Sequence, residues 1–123
     1  MYARAARRYR QVDVESAPKS EILIRLFDRC IRDIDDAEVA IEASDVGARA
    51  AAIDHAIRIV TELAAALDEK VSPELCANLA SLYQFVIEQL STANNRGDSS
   101  ALATARAIIE NIAESFRLAE AQK

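Results

Sequence analysis

Tryptophan is absent from this 123-residue sequence, glycine, proline and cysteine occur twice each, and histidine and methionine once. So few turn-formers exclude a fold of many short strands joined by tight turns, and favour a few long helices with short connections. One histidine and two cysteines are too few for a zinc cluster, a disulfide framework or a histidine-based triad. Glycine-rich phosphate loops, the Gly-x-Ser-x-Gly elbow and calcium-loop patterns are missing too. No apolar run approaches the roughly 18 residues that a membrane helix needs, and the start lacks the apolar stretch of a signal peptide. The expected setting is therefore a reducing cytoplasm, without membrane insertion, and with Cys30 and Cys76 as free thiols in apolar helical stripes. No cofactor and no metal are expected.

What is present is apolar and charged: 51% hydrophobic and 28% charged residues. That composition excludes whole-chain disorder, and the length suits one domain with a real core. We read residues 1–123 as a single unit, with an N-terminal arm over 1–15 and a helical bundle over 16–123. Arg4, Arg7, Arg8 and Arg10 precede the first acid, Asp13, so a chain of net charge −5 carries −9 from Asp13 onward. An acidic body repels phosphate backbones, which argues against nucleic acid as a partner. The basic arm suits a solvated tail, a contact with an export machine or a self-docking segment. Within it, Tyr2, Ala5, Ala6, Tyr9 and Val12 fall at helical spacing, so a short amphipathic helix over 2–12 is expected, stable only when docked.

Apolar residues recur with a three-four spacing from Ile22 to Ile41, which predicts one long helix starting at Pro18 or at Ser20 and ending between Glu42 and Gly47. Asp45 is a good N-cap for a second helix through Ile53, Ile57, Val60, Ala64 and Leu67, ending near Asp68 to Val71. Ser72, Pro73 and Glu74 supply a cap, a first-turn proline and an acid facing the helix dipole, opening a third helix that Asn94 to Gly97 break. A fourth starts at Asp98 or Ser99 and buries Leu102, Ala105, Ile108, Ile109, Ile112, Phe116 and Ala119. Four such helices with short connections predict an all-α, antiparallel, up-down-up-down four-helix bundle.

A bundle helix buries a stripe of roughly 100–140°, so apolar residues beyond that width point to partners. On the third helix Phe85 lies outside the stripe, sharing an edge with Asn78 and Gln89. Side-chain amides can bond an extended backbone while an aromatic ring packs against its side chains, a pairing that suits peptide binding; the alternative is that Phe85 fills a gap between helices. Leu82 borders the same edge. On the second helix Ile59 is expected off the main stripe among Ala48, Ala52 and Ala66, a small-residue flank that would admit another backbone. His55 is expected at that helix's edge, hydrogen-bonded, and Ala52 stands where a Glu-x-x-His metal pair would need its acid. Asp33, Asp35, Asp36 and Glu38 read as a solvated acidic face.

Several stretches, in order, resemble the flagellin-specific export chaperones of bacterial flagellar type III secretion. They are Tyr9, Val12 to Pro18, Leu26-Phe27-Asp28, Glu42 to Asp45, Ala56 through Leu67-Asp68, Ala77-Asn78-Leu79-Ala80-Ser81-Leu82-Tyr83-Gln84-Phe85, and Ala93-Asn94 with Asp98. Phe116 stands where that family usually has tryptophan, and Arg29 where it has glycine. The resemblance implies a non-enzymatic chaperone of the bacterial cytosol that binds the disordered C-terminal segment of flagellin, prevents premature polymerisation and presents it to the export apparatus. Other flagellar regulators are possible partners. It also implies that the arm carrying Tyr9 occupies part of the flagellin groove in the free protein. The residues expected to contact flagellin are Tyr9, Val12, Ile59, Asn78, Leu82, Phe85 and Gln89. The alternative is a dimerising helical scaffold or regulator, its extra apolar face joining two copies as a homodimer when free.

Overall fold

A computed structural model describes residues 18–70 and 72–122. They form four helices, α1 (Pro18–Glu42), α2 (Val46–Ala65), α3 (Pro73–Arg96) and α4 (Ser99–Ala121), with no strand among the described residues. The expected arm over 1–15, with its short helix over 2–12, lies outside the described residues.

Each boundary follows from local chemistry. α1 begins at Pro18, and Ser20 is buried within it rather than capping it. The Asp45 carboxylate accepts from the Ala48 amide at 3.0 Å and caps α2, and Ser72 accepts from the Leu75 amide at 3.3 Å and caps α3, with Pro73 at the first position. Asp98 caps α4 by accepting from the Ser100 and Ala101 amides, and its bond from the Ser100 hydroxyl holds the carboxyl below the usual carboxylate range. α3 stops where Gly97 takes a left-handed conformation, φ 63°. The Asp98 and Gly97 amides then both return to the Ala93 carbonyl. α1 ends the same way without glycine: Ser44 is left-handed at φ 56°, and the Asp45 amide reaches back to Ala40 at 2.9 Å. α2 ends earlier than its apolar pattern suggests. The Ala66 amide bonds both the Glu62 and Leu63 carbonyls, tightening the last turn, and Leu67 packs on the core from the connection.

The connections are short enough to force antiparallel neighbours. α1 packs against α2 and α4, and α3 against α2 and α4, closing a ring around one core. Phe27 of α1 and Phe116 of α4 meet at 5.1 Å between ring centres, tilted by 51°, so phenylalanine fills the last helix's aromatic core position.

Two expectations about faces are corrected. Ile59 is only 4% exposed and belongs to the core. The bulky residues of α2 placed its buried stripe around Ile53, Ile57 and Val60, yet Ala56 is fully buried and lies near the middle of the actual arc from Ile59 to Ile53. At about 100° per residue that shifts the stripe by roughly 60° toward α1. The flank of Ala48, Ala52, Ile59 and Ala66 thus falls on the side where His55 meets α1, and α1 and α2 share the most extensive helix contact of the bundle. Small residues there admit α1 of the same chain, with Ala37 and Ala40 buried on its side.

The second correction concerns the acids of α1. Asp33 is 3% exposed, not solvated. Its carboxylate lies 2.5 Å from His55 Nδ1 and 3.4 Å from Arg29 Nε, so burial of the charge is offset by two partners. Asp28 and Asp35 lie on the other side of α1 and pair with Arg117 and Arg106 of α4.

Candidate peptide-binding surface

α3 buries Leu75, Cys76, Leu79, Tyr83, Val86, Leu90 and Ala93 along one stripe, which leaves a second strip of its surface to be explained. Phe85 is 42% exposed, Asn78 is exposed, and Leu82 and Gln89 are half-buried. Helical phase puts all four within a band of roughly 60°. Its place in the bundle follows from the opposite edge of the helix. There Arg49 of α2 donates from Nη2 to the Asn94 carbonyl at 2.8 Å, fixing the α2 side. The Phe85 band lies about half a turn away and borders the α3/α4 seam.

On the facing helix Ile108, expected in the buried stripe, is only half-buried, and Leu118 is a large exposed residue that the sequence pattern did not single out. Arg106 and Arg117 face α1, so the far edge of α4 carries half-buried Ile108, with Leu118, 51% exposed, farther round on its outer face. Leu118 falls outside the buried stripe of α4 by the same phase argument that exposes Phe85, and that is the signal that finds it. The result is an exposed aromatic edge on α3 with two amides beside it. Such a surface can hold a polypeptide by side-chain packing and backbone hydrogen bonds.

Of the expected contact residues, Asn78, Leu82, Phe85 and Gln89 thus come together on one edge. Ile59 does not join them, being buried in the α1/α2 seam. Tyr9 and Val12 lie outside the described residues.

Burial pushes the Cys30 thiol up to about 12, helped by the nearby Asp33 charge. Burial also raises Cys76, whose thiol donates to the Asp68 carbonyl at 3.2 Å. Both thiols stay protonated near neutral pH, and neither offers a nucleophile. Among the described residues no group of three or more His, Cys, Asp or Glu side chains is placed to hold a metal, and no helix is long and apolar enough to cross a membrane.

Fold and surface together define a helical bundle that presents an amide-flanked aromatic edge. The family described as Flagellar protein FliS matches the chain over residues 1–123, and the chain belongs to that family of flagellar secretion chaperones. It is 35% identical to flagellar secretion chaperone FliS of Salmonella typhimurium, the match covering 89% of this chain and 84% of that protein. It is 31% identical to flagellar secretion chaperone FliS of Escherichia coli, over 95% of this chain and 90% of that one. Flagellar secretion chaperone FliSB of Pseudomonas aeruginosa is 31% identical, over 89% and 90% respectively.

Proposed function

We propose that this chain is a non-catalytic chaperone of the bacterial cytosol that binds the disordered C-terminal segment of flagellin, keeps it from polymerising prematurely and delivers it to the export apparatus. The observation that carries the reading to particular residues is Phe85, a large aromatic 42% exposed beside Asn78 and Gln89 in a member of this family. Phe85 and Leu82 supply apolar grip, and Asn78 and Gln89 bond the flagellin backbone. A disordered segment orders as it binds, so a long shallow surface serves it better than one deep pocket. Tyr9 and Val12 belong to the reading as arm contacts. If the arm covers part of the groove in the free protein, it lowers apparent flagellin affinity in proportion to the time it is docked.

The test is co-purification with a C-terminal flagellin fragment, followed by calorimetry on Phe85→Ala. The variant is expected to bind about tenfold more weakly or worse, a loss of about 1.4 kcal/mol, with its melting temperature little changed. Equal binding by the variant would sink the assignment of this edge. Sedimentation of the protein alone and with the fragment separates this reading from a dimerising scaffold, since a homodimer indifferent to flagellin would favour the scaffold.

A further inference from the structure

Two cavities lie along the α1/α4 seam. A cavity of about 390 Å³ opens on it, with Ile34 and Leu102 as its buried floor and Asp35, Glu38 and Arg106 among its walls. Farther along the same seam a second cavity, of about 500 Å³, is lined by Ile31, Glu110, Asn111, Glu114 and Arg117. Both arginines are already engaged: Arg106 Nε meets Asp35 Oδ1 at 2.7 Å and its Nη1 pairs with Glu110, while Arg117 pairs with Asp28. Glu38 and Glu114 have no such partner among the described residues. The seam therefore carries two uncompensated carboxylates, each at a cavity with an isoleucine in its wall. They lie roughly 10–16 Å apart by helical rise, in a body whose net charge is negative.

Lysine and arginine combine an apolar stem with a cationic head, and each of these cavities has room for the stem beside a carboxylate for the head. A groove running between two helices accommodates a third helix lengthwise. We propose that the α1/α4 seam docks a helical segment of another protein that presents lysine or arginine side chains two turns apart, with their stems along Ile34 and Ile31 and their heads at Glu38 and Glu114. The occupant is a basic amphipathic helix because only that chemistry matches both the floor and the unpaired charges. The site is separate from the Phe85 edge and does not rest on the flagellin reading.

The experiment titrates the full-length protein into a fluorescein-labelled, alanine-based helical peptide carrying two lysines two turns apart, and into its glutamine counterpart, with anisotropy as readout. The lysine peptide is expected to bind about tenfold more tightly, and the Glu38→Gln/Glu114→Gln double variant to lose that preference. A Glu62→Gln/Glu88→Gln double variant, which removes the same charge elsewhere, is expected to keep it. Helicity by circular dichroism confirms that the variants are folded. The seam variant should also leave the affinity for a C-terminal flagellin fragment unchanged, which separates this site from the Phe85 edge. The proposal is overturned if the intact protein shows no lysine preference or if the control double variant loses it equally. It is also overturned if the preference emerges only after residues 1–17 are deleted, because the occupant would then be the chain's own arginine-rich start.

Discussion

The α1/α2 seam and the outer edge of α3 both hold a large apolar residue set off its helix's bulky stripe, yet Ile59 is 4% exposed and Phe85 42%. What separates them is the size of their neighbours. On the Ile59 side of α2 stand buried Ala56 and half-buried Ala52 and Ala66, and α1 brings buried Ala37 and Ala40, so small residues let the two helices close and the isoleucine is covered. Beside Phe85 on α3 stand Asn78, Leu82 and Gln89, which are longer and partly polar, and among the described residues the ring stays open to solvent. Off-stripe bulk therefore stays exposed only where its flanks are too long to let another helix close over it.

The most direct way to break this contrast is to truncate both residues. Ile59→Ala is expected to cost about 2–5 kcal/mol of stability in a denaturant melt, the range for removing a buried aliphatic side chain. Its affinity for a flagellin fragment should hold at temperatures where it stays folded. Phe85→Ala is expected to reverse the pattern, losing about 1 kcal/mol of stability at most while losing most of the binding. If Ile59→Ala weakened binding as much as Phe85→Ala without a matching loss of stability, the seam would have to open when the partner binds.

How much of this was legible in the residues follows the same line. Capping chemistry is local, so Asp45, Ser72, Gly97 and Asp98 marked their boundaries without knowledge of the rest of the chain. The stripe of α3 was legible because its buried members are large. The stripe of α2 departs from its bulky pattern because alanine is both a good helix former and a close-packing residue, and a pattern weighted by bulk cannot tell which role Ala56 plays. Asp33 was misplaced for a related reason: a carboxylate is buried only when partners such as His55 and Arg29 meet it, and His55 lies 22 positions along the chain. The α1/α4 cavities depend on the register of two helices and leave no local trace.

A smaller effect, still informative about the two regions, is expected at the turn that joins α3 to α4. Gly97 sits at φ 63°, and a Cβ there would come within 3.1 Å of Arg49 Nη1. Gly97→Ala should therefore cost about 1–2 kcal/mol from the left-handed backbone alone, with some further loss as Arg49 shifts from the Asn94 carbonyl. Thermal melts check it. Because this turn sets the register of α3 against α4, flagellin affinity is expected to fall modestly too, which Ile59→Ala should not cause.

The smallest effect is expected at the corresponding turn of the closed seam, where Ser44 occupies the same left-handed region at φ 56° with a side chain attached. The Asp45 amide bond to Ala40 and the Ser44 amide bond to Ile41 hold it there, so the geometry persists despite the unfavourable Cβ. Ser44→Gly removes that strain but gives the unfolded chain more freedom, and the two effects leave a net gain of about 0.5–1 kcal/mol. The gain should appear in the melting temperature and not in flagellin binding, since α1 and α2 meet away from the Phe85 edge. A variant that gained stability and lost affinity would show that the α1/α2 seam must loosen for the partner to dock, and the division between a closed seam and an open edge would fail.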